Sequence, residues 1–215
     1  MSKILVTGFD PFGGEKVNPA FEAVKLLPDA IAGVDVVKLE VPTVFSKSAV
    51  VLEEAIKREQ PDYVLCVGQA GGRSAMTVER VGINLVEARI PDNDGEQPFD
   101  QPVRADGETA YFSTMPVKAM VKAMNDGGVP AFVSYTAGTY VCNWLLYNAL
   151  YLTKKLCPGT PAAFVHVPYA TEQGVGKPNG TPTMSVADMA RALELGIEAA
   201  VTAQDDVAEA MGETH

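Results

Sequence analysis

Apolar positions along the 215-residue chain follow two alternating rhythms. Residues 4–7, 34–41 and 63–67 are short strand-like runs, rich in β-branched side chains and closed by glycine or by polar turns. Between them the spacing turns helical. Residues 20–27 have helical spacing, with Pro19 suited to the first turn. Ala49, Leu52, Ala55 and Ile56 share one face of a helix that Ser46 is expected to cap, and Pro61-Asp62 ends it. The order is βαβαβ, which predicts a mostly parallel sheet covered by helices.

The second half is less uniform. Residues 75–90 alternate like one or two antiparallel strands, and a polar loop rich in Asp, Gly and Pro follows from 91 to about 107. Connections of that length are more often functional than idle. Helices are predicted over 117–124, 143–155 and 185–203, with strands over 131–134 and 162–167. The last dozen residues are acidic and expected to fray. With no repeat, linker or composition shift, residues 1–215 read as a single α/β domain.

Composition narrows the field. Hydrophobic residues at 47% and charged residues at 20% describe an ordinary globular chain, and no apolar run approaches a membrane span. The amino terminus runs straight into a strand and carries no signal-peptide pattern, so a cytoplasmic protein is expected. A formal charge of −10 argues against nucleic acid as the main partner. Three cysteines without paired spacing (Cys66, Cys142 and Cys157) suit a reduced compartment better than a disulfide framework. The sequon Asn179-Gly180-Thr181 is then expected to be idle.

Only two histidines are available for chemistry, and one is the terminal His215. The other, His166, ends a predicted buried strand, where ligands gather in open α/β sheets. Alone it would read more readily as a hydrogen-bonded core histidine than as a catalytic one. Cys142 changes that reading. The stretch 134–143 runs from strand through a small-residue turn into a helix, which places this thiol where unpaired backbone N–H groups favour the thiolate and can hold an oxyanion. Cys66 and Cys157 fit the role of small buried hydrophobes. A carboxylate should orient the imidazole, and Glu79, Glu87, Asp92 and Asp94 are candidates that spacing does not separate. Glu79 sits in an otherwise apolar strand, where it needs a partner; pairing with Arg80 is the plain alternative. No cluster of histidines and cysteines suggests a metal, and no cofactor is expected.

The run Ala137-Gly138-Thr139-Tyr140-Val141-Cys142-Asn143 resembles the active-site cysteine motif of pyroglutamyl peptidase I. Gly68-Gln69-Ala70-Gly71 with Val78-Glu79-Arg80-Val81-Gly82-Ile83-Asn84 resembles that family's glutamate motif. Thr7-Gly8-Phe9-Asp10-Pro11-Phe12-Gly13-Gly14 with Asn18-Pro19, Ala88-Arg89-Ile90-Pro91-Asp92-Asn93 and His166-Val167-Pro168-Tyr169 match in the same order. Gly82, Glu87 and Ala170-Thr171 depart from the pattern. The resemblance implies a phosphorylase/hydrolase-like α/β/α sandwich with a mixed, mostly parallel sheet, assembled as a homotetramer. It implies that Cys142 attacks, His166 shuttles the proton and Glu79 orients His166; Asp92 is the second choice for that carboxylate, or else supports the site. The implied substrates are peptides with an amino-terminal pyroglutamyl residue.

Pyroglutamate is an uncharged lactam with an apolar ring edge, one N–H and one C=O, so its pocket needs flat apolar walls and a few fixed hydrogen bonds. Phe9 and Phe12 flank a proline at the end of the first strand and could supply walls, or equally pack beneath the loop. Asn18 can both donate and accept. The resemblance adds Gln69 (through its backbone), Tyr140, Val141 and, near the oxyanion site, Arg89 as substrate contacts. Gly8 to Gly14 lacks the spacing of a phosphate-binding loop.

Overall fold

The computed structural model describes residues 2–211. Seven strands form one sheet in the order β2-β3-β1-β4-β9-β5-β8. Its centre is parallel: β1 (Lys3–Phe9) lies between β3 (Val34–Val41) and β4 (Tyr63–Gln69), and β4 pairs with β9 (Ala162–Val167). Beyond β9 the direction reverses. Strand β5 (Met76–Glu79) runs antiparallel to β9 and parallel to β8 (Ala131–Ser134), while β2 (Ala30–Ile31) caps the other edge as an antiparallel hairpin with β3.

Strand parity builds two cores. Ile4, Val6, Leu65, Val67, Val78 and Val165 face α1 (Pro19–Lys25), α3 (Val117–Asp126) and α5 (Val186–Thr202). Leu5, Val64, Cys66 and Phe164 face α2 (Phe45–Glu59) and α4 (Val141–Leu156). The result is the expected three-layer sandwich. No described helix is long and apolar enough to cross a membrane. Helix α4 is buried nearly all round, from Leu145 through Thr153, so its start is held firmly against the sheet.

The predicted antiparallel segment 75–90 divides in two. Its first part joins the main sheet as β5, and β6 (Val81–Ile83) leaves it to pair with β7 (Ala110–Phe112). The pairing with β7 was not evident from the chain, because β7 follows a polar loop and is only three residues long. Two short strands, β10 (Tyr169–Ala170) and β11 (Thr183–Met184), also escaped the pattern. Gly82 lies against α4: a Cβ there would sit 3.1 Å from Leu146 Cγ and 3.2 Å from the Tyr147 backbone, so close packing accounts for the departure at this position.

Helix starts are closed in different ways. Asn18 caps α1 through its side chain and Ser185 caps α5. Ser46 does not cap α2, contrary to expectation. The helix begins one residue earlier, and the Asp92 carboxylate reaches across from the long loop to accept the Phe45 N–H at 2.8 Å. The acidic tail supplies α3, where Asp206 accepts the N–H groups of Lys118 and Ala119 at 3.0 and 2.9 Å. Residues 203–211 therefore carry no helix or strand yet touch the body, while His215 lies outside the described residues. Helix α4 starts at Tyr140-Val141 with no side-chain cap.

Candidate active site

Parity decides which side chains meet. Glu79 on β5, His166 on β9 and Gly68 on β4 all project to the face covered by α4, and Gly68 is the register partner of His166. A Cβ built on Gly68 would lie 3.0 Å from Cys142 Sγ and 2.7 Å from the Phe164 ring. The thiol thus occupies space that any other residue at 68 would fill, directly beside the strand position paired with the imidazole. Sequence inspection alone did not single out Gly68.

The imidazole is fixed by its other nitrogen. His166 Nδ1 lies 2.7 Å from Glu79 Oε1, in a pair whose members are 3% and 0% exposed. With Nδ1–H donating to the carboxylate, Nε2 carries the lone pair. Glu79 does not pair with Arg80, which instead donates to Ser113 O and covers the Phe112 ring. Its second partner is Arg73, whose Nη1 is 2.6 Å from the same Oε1. Burial pushes Glu79 upward, but the hydrogen bond and charge of His166 and the charge of Arg73 outweigh it and hold the carboxyl below its ordinary 4.5. The Ser134 hydroxyl also lowers it, although here it donates to Thr136 O at 3.1 Å and leaves Oε2 without a hydrogen bond among the described residues.

Cys142 is half-buried at the second position of α4. Burial, with the Glu79 charge added, pushes the thiol up to about 12 despite the opposing pull of Arg73. The open N–H groups at the helix start pull the other way. Burial likewise pushes Cys66 up to about 12, and Cys157 is half-buried at the far end of α4. All three cysteines are free.

A cavity of ≈ 40 Å³ opens beside the thiol, lined by Phe9, Phe12, Asn18, Thr43, Gln69, Tyr140, Val141 and Cys142. Larger hollows exist elsewhere, such as one of ≈ 280 Å³ between Tyr111, Leu150 and Thr153, but they hold no thiol and imidazole. Every proposed substrate contact except Arg89 is in this lining. Arg89 is exposed and not part of it. Thr43 is an addition; it follows β3 and ties down the amino-terminal loop by donating its N–H to Asp10 Oδ1 at 2.7 Å. Asn18 uses Oδ1 to cap α1 and Nδ2 to hold Asp10 O at 2.9 Å, so much of its capacity is spent on the loop. The Gln69 side chain accepts from Gln173 Nε2 at 3.0 Å.

Asp92 belongs to a different corner. Besides Phe45 N it accepts the N–H groups of Asp94 and Glu96, both at 2.9 Å. The loop it organises braces the cavity wall: Tyr140 Oη donates to Pro91 O at 3.0 Å, and Phe45 meets the Tyr140 ring edge-on at 5.3 Å. Asp92 is therefore not the partner of His166. Glu87 and Asp94 are not either; Glu87 is exposed and Asp94 pairs with Lys47. Asn143, next to the thiol, pins β6 by accepting from Ile83 N and donating to Ile83 O, each at 2.9 Å. Among the described residues no group of three or more His, Cys, Asp or Glu could hold a metal ion.

The pyroglutamyl peptidase family model matches residues 2–203. This chain belongs to the pyroglutamyl peptidase family. It is 59% identical over 214 residues to pyrrolidone-carboxylate peptidase 1 of Streptococcus pneumoniae serotype 4, covering 99% of this chain and 100% of that protein. It is also similar to the crystal structure of pyroglutamyl peptidase I from Bacillus amyloliquefaciens, with a TM-score of 0.93, 46% identity, and 97% and 99% of the two chains covered. Pyrrolidone carboxyl peptidase from Thermococcus litoralis gives the same TM-score at 36% identity, covering 98% and 100%. Pyroglutamyl peptidases are hydrolases that remove an amino-terminal pyroglutamyl residue by a cysteine peptidase mechanism, and this chain is one of that family's cysteine peptidases.

Proposed function

We propose that Cys142, His166 and Glu79 perform that reaction here, and that the cavity beside Cys142 takes the lactam ring. The observation that carries this reading is the coincidence of three features at one point: a thiol on a helix start that no side chain caps, the neighbouring His166–Glu79 pair, and an aromatic-walled cavity.

Burial and the Glu79 charge push the thiol up, which favours attack and proton transfer in one event. Cys142 Sγ bonds to the pyroglutamyl carbonyl carbon while its proton passes to His166 Nε2. The carbonyl oxygen becomes an oxyanion, which the open N–H groups at the start of α4 are suited to receive. Glu79 holds the imidazole by Nδ1 and stabilises its charged form. The C–N bond then breaks, and His166 returns the proton to the departing amine. Water next attacks the thioester, gives a proton to His166, and releases pyroglutamate; the thiol regains its proton.

The pocket explains a preference for a blocked, uncharged terminus. Phe9, Phe12, Tyr140 and Val141 offer apolar surface, and the lining holds no carboxylate to form an ion pair with a free ammonium. A cytoplasmic location, suggested by the unpaired cysteines, and a homotetrameric assembly, suggested by the family resemblance, complete the reading. The test is a pair of arylamides. Cleavage of the pyroglutamyl compound with the free-amine alanyl compound left intact is expected, and the reverse preference would overturn the pocket assignment.

A further inference from the structure

The geometry points to Arg73 as a positioning residue that joins the two halves of the active site and holds Glu79 in its working state. This rests on the reading of Cys142 and His166 as the reacting pair. Arg73 lies in the loop between β4 and β5, a quarter exposed. Its Nη1 bonds Glu79 Oε1 at 2.6 Å, the same oxygen that takes His166 Nδ1, and also reaches Thr77 Oγ1. Its Nη2 donates to Thr136 O at 3.0 Å, in the turn that leads to Cys142. One planar guanidinium therefore touches the base's carboxylate on β5 and the nucleophile's turn between β8 and α4. A lysine ammonium could supply the charge but not both directions at once.

The electrostatic consequence is specific. Glu79 is fully buried with Oε2 unpartnered among the described residues, so its ionised form depends on the cations at Oε1. When His166 is neutral, Arg73 is the remaining one. The groups facing the thiol are Glu79 from β5, Arg73 from the β4–β5 loop, Cys66 from β4, Tyr140 at the start of α4 and His166 from β9. Arg73 is the permanent cation among them, and it offsets the Glu79 charge that disfavours a thiolate.

The experiment compares Arg73→Met and Arg73→Lys with the unaltered protein. It measures kcat and KM for a pyroglutamyl arylamide across pH, and the iodoacetamide alkylation rate of Cys142 by peptide mapping at one fixed pH. For Arg73→Met, kcat should fall about tenfold to a hundredfold with KM little changed, and the acid limb of kcat should move to higher pH as Glu79 loses its cation. Alkylation of Cys142 should slow about tenfold for each unit by which its thiol rises. Arg73→Lys should keep the limb and the alkylation rate while kcat stays reduced. A folded Arg73→Met with unaltered kcat, or with reduced kcat but unmoved limb and alkylation rate, would overturn the proposal. Should Arg73→Met fail to fold, an acid limb displaced upward in Arg73→Lys does the same. Alkylation needs no peptide, so it judges Arg73 even if the pyroglutamyl assignment fails.

Discussion

Helices α2 and α4 lie side by side on one face of the sheet, and neither provides its own amino-terminal cap. At α2 the Asp92 carboxylate fills the gap, bonding Phe45 N and two amides of its own loop. At α4 no side chain does so, and Cys142 sits in the first turn beside a cavity. The same contrast separates the two buried carboxylates. Asp92 is spent on backbone N–H groups that never ionise, which makes it architecture. Glu79 is spent on an imidazole that must gain and lose charge, which suits chemistry. A filled helix start builds the wall of the pocket, and an open one faces its contents.

Glu79→Gln should show the greatest effect on that contrast. It keeps the shape and an acceptor at Oε1 but removes the charge that stabilises the imidazolium, so kcat should fall by about a hundredfold to ten-thousandfold, read with a pyroglutamyl arylamide. Retained kcat would remove the distinction between the two carboxylates. Gly68→Ala comes next. Its methyl would meet the Phe164 ring at 2.7 Å and Sγ at 3.0 Å, so kcat should drop at least about tenfold, at a stability cost of about 1–3 kcal/mol by urea melts. Asp92→Ala should cost about 1 kcal/mol of stability and raise KM while kcat is largely kept, because it loosens a wall and leaves the reacting groups in place.

The smallest effect is in stability against pH. The folded Glu79 carboxyl is held below its ordinary value, so its contribution is present above about 4.5 and lost as pH falls through the lower folded value. In urea melts the unaltered protein should therefore lose stability on acidification through that window more steeply than Glu79→Gln. Equal slopes would mean that Glu79 is not held ionised.

Much of this was legible along the chain, for identifiable reasons. Strands β1, β4 and β9 are buried on both faces, and helices α2 and α5 carry strong apolar spacing, so their positions followed from pattern. Cys142 followed from a strand–turn–helix passage and His166 from being the one internal histidine. Other features depend on contacts between distant segments. Asp92 caps a helix 47 residues away, and Ser46 looked like the cap because local spacing cannot register such a reach. Arg73 reads as a surface residue after two glycines until folding brings Thr77, Glu79 and Thr136 around it. Arg89 comes from resemblance alone; it is exposed and lies outside the cavity lining. The charge of Glu79, which pushes the Cys142 thiol up against the pull of the helix start, is likewise a contact that spacing does not show. One signal was available, since Gly68 falls at the end of a buried strand, where a missing side chain often marks a close approach.

The most direct test of the central claim is turnover of a pyroglutamyl arylamide by three single variants, Cys142→Ala, Cys66→Ala and Cys157→Ala, each verified as folded. Loss of all measurable turnover in Cys142→Ala, with the other two still active, is the predicted result. Turnover by a folded Cys142→Ala at the rate of the unaltered protein would contradict it.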